Sequence, residues 1–237
     1  MNHKNRWIFL LLAIVTAVDI YGITSVSPLL RYLTKPLLMP LLILAFVAGH
    51  DRKNIYSRLL ISGLFFSWLG DIFLMMERID GIYFILGLSC FLTAHILYIS
   101  YFLKIQPQGK SFLQQYPILL VLVGIYGAGL LFLLWPGLGP LKIPVVLYAI
   151  IICTMLCMAL WQYKRIDTKT AVLFISGAAL FVLSDSLLAV HKFRQPIPYG
   201  GMLIMLTYVA AQFFIVLGSL SHQQQQVPPV QQPSYVS

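Results

Sequence analysis

Charge is what this sequence has least of. Asp, Glu, Lys and Arg make up 10% of the 237 residues, and only seven are acidic. Soluble domains carry about 25% charged residues. With 59% hydrophobic residues, no water-soluble fold of this length hides the apolar surface. Cysteine is also scarce, and three residues rule out a paired disulfide framework. Cys153 and Cys157 lie one helical turn apart in an apolar run, with no His or further Cys beside them. Packing is expected there rather than metal binding or a disulfide. The sequence has no G-x-S-x-G elbow, no H-E-x-x-H and no phosphate loop, which argues against the common soluble hydrolase designs, a serine lipase included. The net charge of +9 does not point to nucleic acid. The basic residues sit in short caps between apolar runs, where they orient helices and meet anionic head groups.

Long apolar runs dominate what is there. Each is long enough to cross ~30 Å of hydrocarbon, and backbone that crosses lipid in such runs must be helical. Eight spans are expected, near Trp7–Ile23, Tyr32–Ala48, Ile55–Met76, Tyr83–Leu103, Tyr116–Leu134, Leu141–Trp161, Ala171–Val190 and Gly200–Leu220. The fold class is all-α integral membrane, with one transmembrane domain over residues 1–221. The first run has the charge-then-apolar order of a signal peptide but no clear small-x-small cleavage site, and reads as an uncleaved span. The tail from 222 to 237, HQQQQVPPVQQPSYVS, has no apolar face to bury and is expected to be disordered.

An even number of spans puts both termini on one side. Lys4, Arg6, Arg52, Lys53, Arg58, Lys104, Lys110, Lys164, Arg165 and Lys169 fall on that side. Arg31, Lys35, Arg78, Lys142, Lys192 and Arg194 fall on the other. The excess predicts cytoplasmic termini, and in a bacterium an inner-membrane location.

Two of the few acids stand inside spans. FFSWLGDIFLM (65–75) carries Asp71 and LFVLSDSLLAV (180–190) carries Asp185. An Asp near mid-helix costs ~3 kcal/mol even on the lenient insertion scale, which makes a functional site the default reading. The offset between the two acids carries spans one to four approximately onto spans five to eight, the pattern of two parallel four-helix repeats. Spans three and seven then run the same way, and the acids sit at similar depth. Gly63, Ser67 and Gly70 share a side with Asp71, as do Gly177, Ala178, Phe181 and Ser184 with Asp185. Such small-residue faces admit close packing and turn the acids inward.

Other polar residues join them: His95 and Tyr98 on span four, Tyr208 and Gln212 on span eight, Lys35 at the edge of span two and Asp19 near the edge of span one. Each has a plainer reading. Lys35 and Asp19 would reach the interface. Tyr98 and Tyr208 would be packed aromatics with one hydrogen bond, Gln212 interhelical glue, and His95 a satisfied core residue. From the residues alone, a lipid hydrolase and a proton-coupled transporter stand about equal. A carrier must open to both sides, whereas a hydrolase needs a pocket open laterally or to one leaflet. A non-catalytic scaffold would need neither acid.

Lys35-Pro36, the Gly70-Asp71 step, GLSCFLTAHILYISYF (87–102), GAALFVLSDSLLAV (177–190) and TYVAAQFFIVLG (207–218) together resemble the YhhN-like lysoplasmalogenase family, in order and over nearly the whole chain except the tail. The resemblance implies an eight-span membrane hydrolase. Its substrate would be a lysophospholipid, the vinyl ether bond of which is cleaved to a fatty aldehyde and glycerophospho-ethanolamine or -choline. It suggests Asp71 and Asp185 as catalytic and Lys35, His95, Tyr98, Tyr208 and Gln212 as supporting or substrate-binding. It calls for no cofactor and no metal, and for membrane lipids, but no nucleic acid, as further partners. The chemistry suits two acids. A vinyl ether is opened by proton delivery to carbon, which needs a carboxyl group still protonated near neutral pH. Burial and a neighbouring acid both disfavour ionisation. The ionised partner steadies the cation and takes a proton from water. Lys35 near the interface would meet the substrate phosphate.

Overall fold

A computed structural model describes residues 3–48, 54–105 and 112–226. Among them the chain is helical, with no strand. The helices are α1 (His3–Thr24), α2 (Pro28–Val47), α3 (Ile55–Met75), α4 (Ile82–Lys104), a short α5 (Phe112–Gln115), α6 (Ile118–Leu134), α7 (Lys142–Trp161), α8 (Thr168–Phe193) and α9 (Gly200–Gln226). All but α5 are long and apolar enough to cross a membrane, giving eight spans. The chain is an integral multi-pass membrane protein.

Polar residues mark the helix ends. Asn54 accepts a hydrogen bond from the Tyr56 N–H at 3.0 Å, and Asp167 accepts one from the Thr170 N–H at 3.0 Å. Each satisfies a backbone donor that the first turn leaves free. The Thr170 bond holds the exposed Asp167 carboxyl below its ordinary range. The helices are otherwise apolar nearly all round, so their neighbours are set by size and by the few polar side chains rather than by amphipathic pattern.

The bundle closes around α3, α4, α8 and α9. Glycine makes the closest approaches. A Cβ on Gly63 would lie 2.4 Å from Tyr98 Cε1, and one on Gly177 would lie 2.7 Å from Ile215 Cγ1 and 2.9 Å from the Ala211 carbonyl. The two glycines stand at matching positions before Asp71 and Asp185, so both acid-bearing helices draw in the following helix by the same device. Tyr101, Phe102, Phe174 and Phe181 fill the space between them. α6 is peripheral, with only Gly127 and Leu134 buried, and its outer Leu and Ile side chains face lipid.

The last helix runs to Gln226 instead of ending at 221, and His222 and Gln223 are buried. The polar start of the tail therefore has a partner after all: Gln223 Nε2 donates to Ser57 Oγ at 3.2 Å. Helix α9 thus carries the described chain past the expected end of the last span at Leu220. The rest of the tail, 227–237, lies outside the described residues, as do Arg52, Lys53 and Lys110.

Candidate active site

At the end of the bundle away from the start of α1 and the end of α9, the helices α1, α2, α3, α8 and α9 enclose a cavity of about 370 Å³, with Phe91 of α4 on its wall. Lys35, Asp71, Asp185 and Tyr208 line its inner part, and Arg31 and Arg78 line it nearer solvent.

Lys35 enters from α2, where Pro36 and Pro40 interrupt the backbone ladder. Proline has no N–H, so Pro40 leaves the Pro36 carbonyl without its helical donor. Trp68 Nε1 donates to that carbonyl at 2.9 Å, which ties α2 to α3 beside the site. Lys35 Nζ then lies 3.2 Å from Asp71 Oδ1. Tyr208 donates its hydroxyl to Asp71 Oδ2 at 2.8 Å.

Lys35 and Asp19 depart from their expected interfacial positions. Both are buried. The Lys35 charge is met inside the protein by Asp71, so it has no need to reach water. Asp19 accepts the Thr34 hydroxyl at 2.8 Å.

Asp185 has a different setting. Tyr148 of α7 donates its hydroxyl to Asp185 Oδ2 at 2.5 Å, and His95 Nε2 lies 3.8 Å from the same oxygen. Among the described residues no Lys or Arg pairs with Asp185. The ring of Phe181 packs against His95 at 4.6 Å and Tyr208 at 5.6 Å between centroids, and keeps the two polar groups apart.

Tyr98 and Gln212 form a buried network beneath the site. Tyr98 donates to Gln212 Oε1 at 2.7 Å, and Gln212 Nε2 donates to Ser67 Oγ at 2.9 Å. Neither borders the cavity. They fix α4 and α9 to α3 one turn below Asp71. Lys35 and Tyr208, by contrast, reach Asp71 directly, whereas His95 Nε2 stands near Asp185 without a hydrogen bond to it.

Two smaller apolar cavities, about 40 Å³ each, adjoin the first. One lies among Leu74, Phe84, Leu88, Phe91 and Leu188. The other lies between α6, α7 and α8, beside Leu130, Ile152 and Val182. Asp185 borders all three cavities and Tyr148 both small ones. Among the described residues, no three His, Cys, Asp or Glu side chains gather as metal ligands.

Tyr148 is the site residue that sequence reasoning missed. It sits in LKIPVVLYAIIICT, a run with no other polar side chain in its middle. A single tyrosine in an apolar span was the only signal, and it is the signal of a packed aromatic as well.

The YhhN family model matches residues 30–219. The chain is 35% identical over 184 residues to human lysoplasmalogenase TMEM86B, covering 77% of this chain and 73% of that protein. It is 32% identical over 177 residues to Bos taurus lysoplasmalogenase TMEM86A, covering 68% and 65%. It is 33% identical over 138 residues to a Mycobacterium bovis lysoplasmalogenase, covering 57% and 50%. The chain thus spans just under two thirds of the cattle relative and half of the mycobacterial one. No solved structure matches it. The matched region takes in α2 to most of α9, and with it Lys35, Asp71, Asp185 and Tyr208; the chain belongs to the YhhN family.

Proposed function

We propose that the protein is a lysoplasmalogenase that hydrolyses the vinyl ether of a lysoplasmalogen, with Asp185 as proton donor and Asp71 as the anionic partner. The observation that carries this division is the unequal surroundings of two acids on one cavity. Asp71 faces an ammonium group. Asp185 faces a phenol and an imidazole, and opens onto apolar clefts. An acid paired with Lys35 is suited to remain a carboxylate, and one without a cation is suited to carry a proton.

The first carbons of the alkenyl chain enter an apolar cleft and the glycerophosphate portion lies in the larger cavity, which brings the double bond to Asp185. Asp185 gives its proton to the alkenyl carbon remote from oxygen. The adjoining carbon becomes an oxocarbenium ion, and the Asp71 carboxylate steadies it through the low-dielectric cavity. Water adds at that carbon and returns a proton to Asp185. The hemiacetal then collapses, its hydroxyl proton passing to the glycerol oxygen. The products are a fatty aldehyde and glycerophospho-ethanolamine or -choline. Tyr148 holds the Asp185 carboxyl in place, and Tyr208 holds that of Asp71. Both termini face the cytoplasm in this reading, so the cavity opens on the opposite leaflet. The relatives' names support the activity, and the excess of Lys and Arg on the terminal side supports the orientation.

The test is incubation of purified protein with an alkenyl, a saturated alkyl-ether and an acyl lysophospholipid of equal chain length. Aldehyde from the alkenyl lipid alone is expected. Fatty acid from the acyl lipid, without aldehyde, points instead to a lysophospholipase. Proton-linked uptake into vesicles, with no cleavage, points to a transporter.

A further inference from the structure

We infer that Arg31, with Arg78 on the same cavity, forms the phosphate site for the lysophospholipid head group. The inference rests on the lysophospholipid reading above. Lys35, the expected phosphate partner, is unsuited to it: its ammonium is committed to Asp71 at 3.2 Å, and its side chain is 8% exposed. The next cation outward is Arg31, four residues before Lys35 on α2 and therefore on the same face. Both border the cavity.

Arg31 is placed and unspent. A Cβ on Gly22 would come within 3.3 Å of Arg31 Cγ, so α1 holds the stem of the side chain. The Arg31 Nε is buried and has no hydrogen-bond partner. The guanidinium thus has no acceptor of its own among the described residues and keeps donors for a phosphate oxygen in the cavity. Arg78 follows α3, is exposed and borders the same cavity. The carboxylate beside it, Glu77, is engaged by Lys192. Among the described residues no acid pairs with either arginine. Two helix N-termini, α2 at Pro28 and α9 at Gly201, border the same space. Their positive ends favour an anion there. A guanidinium fork also matches two phosphate oxygens, which an ammonium does not.

The order along the cavity then follows the substrate. Phosphate lies at the arginines, glycerol beside Lys35 and Asp71, the vinyl ether at Asp185, and the first carbons of the chain at an apolar cleft.

The experiment measures binding of the full-length protein to a saturated 1-O-alkyl lysophospholipid, which offers no double bond to protonate, and to the 1-O-alkylglycerol of the same chain. Wild type should prefer the phospholipid by about tenfold or more. Arg31→Gln should bring that ratio close to unity, and Arg78→Gln should lower it, with alkylglycerol affinity unchanged in both. Inorganic phosphate and glycerophosphoethanolamine should compete only weakly. An unchanged ratio in both variants overturns the site. So does inorganic phosphate binding as tightly as the lipid, which makes it a free-anion site. If Arg31→Gln fails to fold, the exposed Arg78→Gln decides alone, and an unchanged ratio there overturns the proposal. Because no cleavage is read, these outcomes stand apart from the aldehyde assay. Loss of aldehyde release with the preference intact removes the vinyl-ether reading and leaves the phosphate site.

Discussion

Lys35 and Asp71 meet at 3.2 Å inside the bundle, and both side chains are nearly fully buried. A lysine at the edge of a span usually runs its ammonium out to the head groups. Here the proline pair of α2 and the Trp68 indole hold the helix against α3, and the ammonium is met by a carboxylate instead. The pair divides two otherwise equivalent acids into one with a cation and one without.

Lys35→Met should therefore harm both fold and activity. It leaves Asp71 buried without its cation, a change that costs about 3–5 kcal/mol in buried pairs. Aldehyde release should fall by about 100-fold or more, and the melting temperature should drop. The double variant Lys35→Met with Asp71→Asn should recover the melting temperature, because no unpaired charge remains, without recovering turnover. Thermal melts of the single and double variants check this. A single variant with normal stability and turnover refutes the role given to the pair.

Tyr148→Phe removes only the hydroxyl that donates to Asp185 at 2.5 Å. Phenylalanine fills the same space, so folding should persist. The expected result is a kcat lower by about 10- to 100-fold with KM changed little, since orientation of a proton donor acts mainly in the transition state. A rise in KM at constant kcat would assign Tyr148 to lining the alkenyl cleft and not to positioning Asp185.

The eight spans were legible because run length and polarity alone decide them. Asp71 and Asp185 were legible because a charge inside such a run has few explanations. Lys35, His95 and Tyr208 could be named, but their partners could not. Whether Lys35 turns inward depends on Pro40 freeing a carbonyl for Trp68, a contact between helices that no local pattern announces. Tyr148 was invisible for the same reason, since its importance lies in which residue of α8 it faces. The helical start of the tail was hidden by composition: glutamine reads as disorder until Ser57 offers it a partner.

Orientation is testable by labelling. With Cys90, Cys153 and Cys157 replaced by alanine, single cysteines are placed at Ile79 or Tyr199, both exposed at the cavity end, and at Thr168, exposed at the other. An impermeant maleimide added to intact cells should label positions 79 and 199 but not 168. The reverse pattern would place the cavity mouth in the cytoplasm and overrule the positive-inside reading.

The sharpest test concerns the acids as a unit. Asp→Asn keeps size and hydrogen bonding while removing the acid and the charge. Asp185→Asn takes away the proton donor, and Asp71→Asn takes away the anion that steadies the cation, so each alone should abolish nearly all aldehyde release. Because both act on one transition state, the double variant should be little slower than either single. Their effects on folding should differ. An amide is as neutral as the protonated Asp185 carboxyl and still accepts the Tyr148 hydroxyl, so Asp185→Asn should melt near the wild-type temperature. Asp71→Asn strands the Lys35 ammonium and should melt lower. Adding Lys35→Met to Asp71→Asn should restore that melting temperature. Aldehyde release measured beside thermal melts separates the outcomes. If either single variant is well folded and keeps near-wild-type turnover, that Asp has no part in the chemistry, and the division of roles between a lysine-paired and a lysine-free acid fails with it.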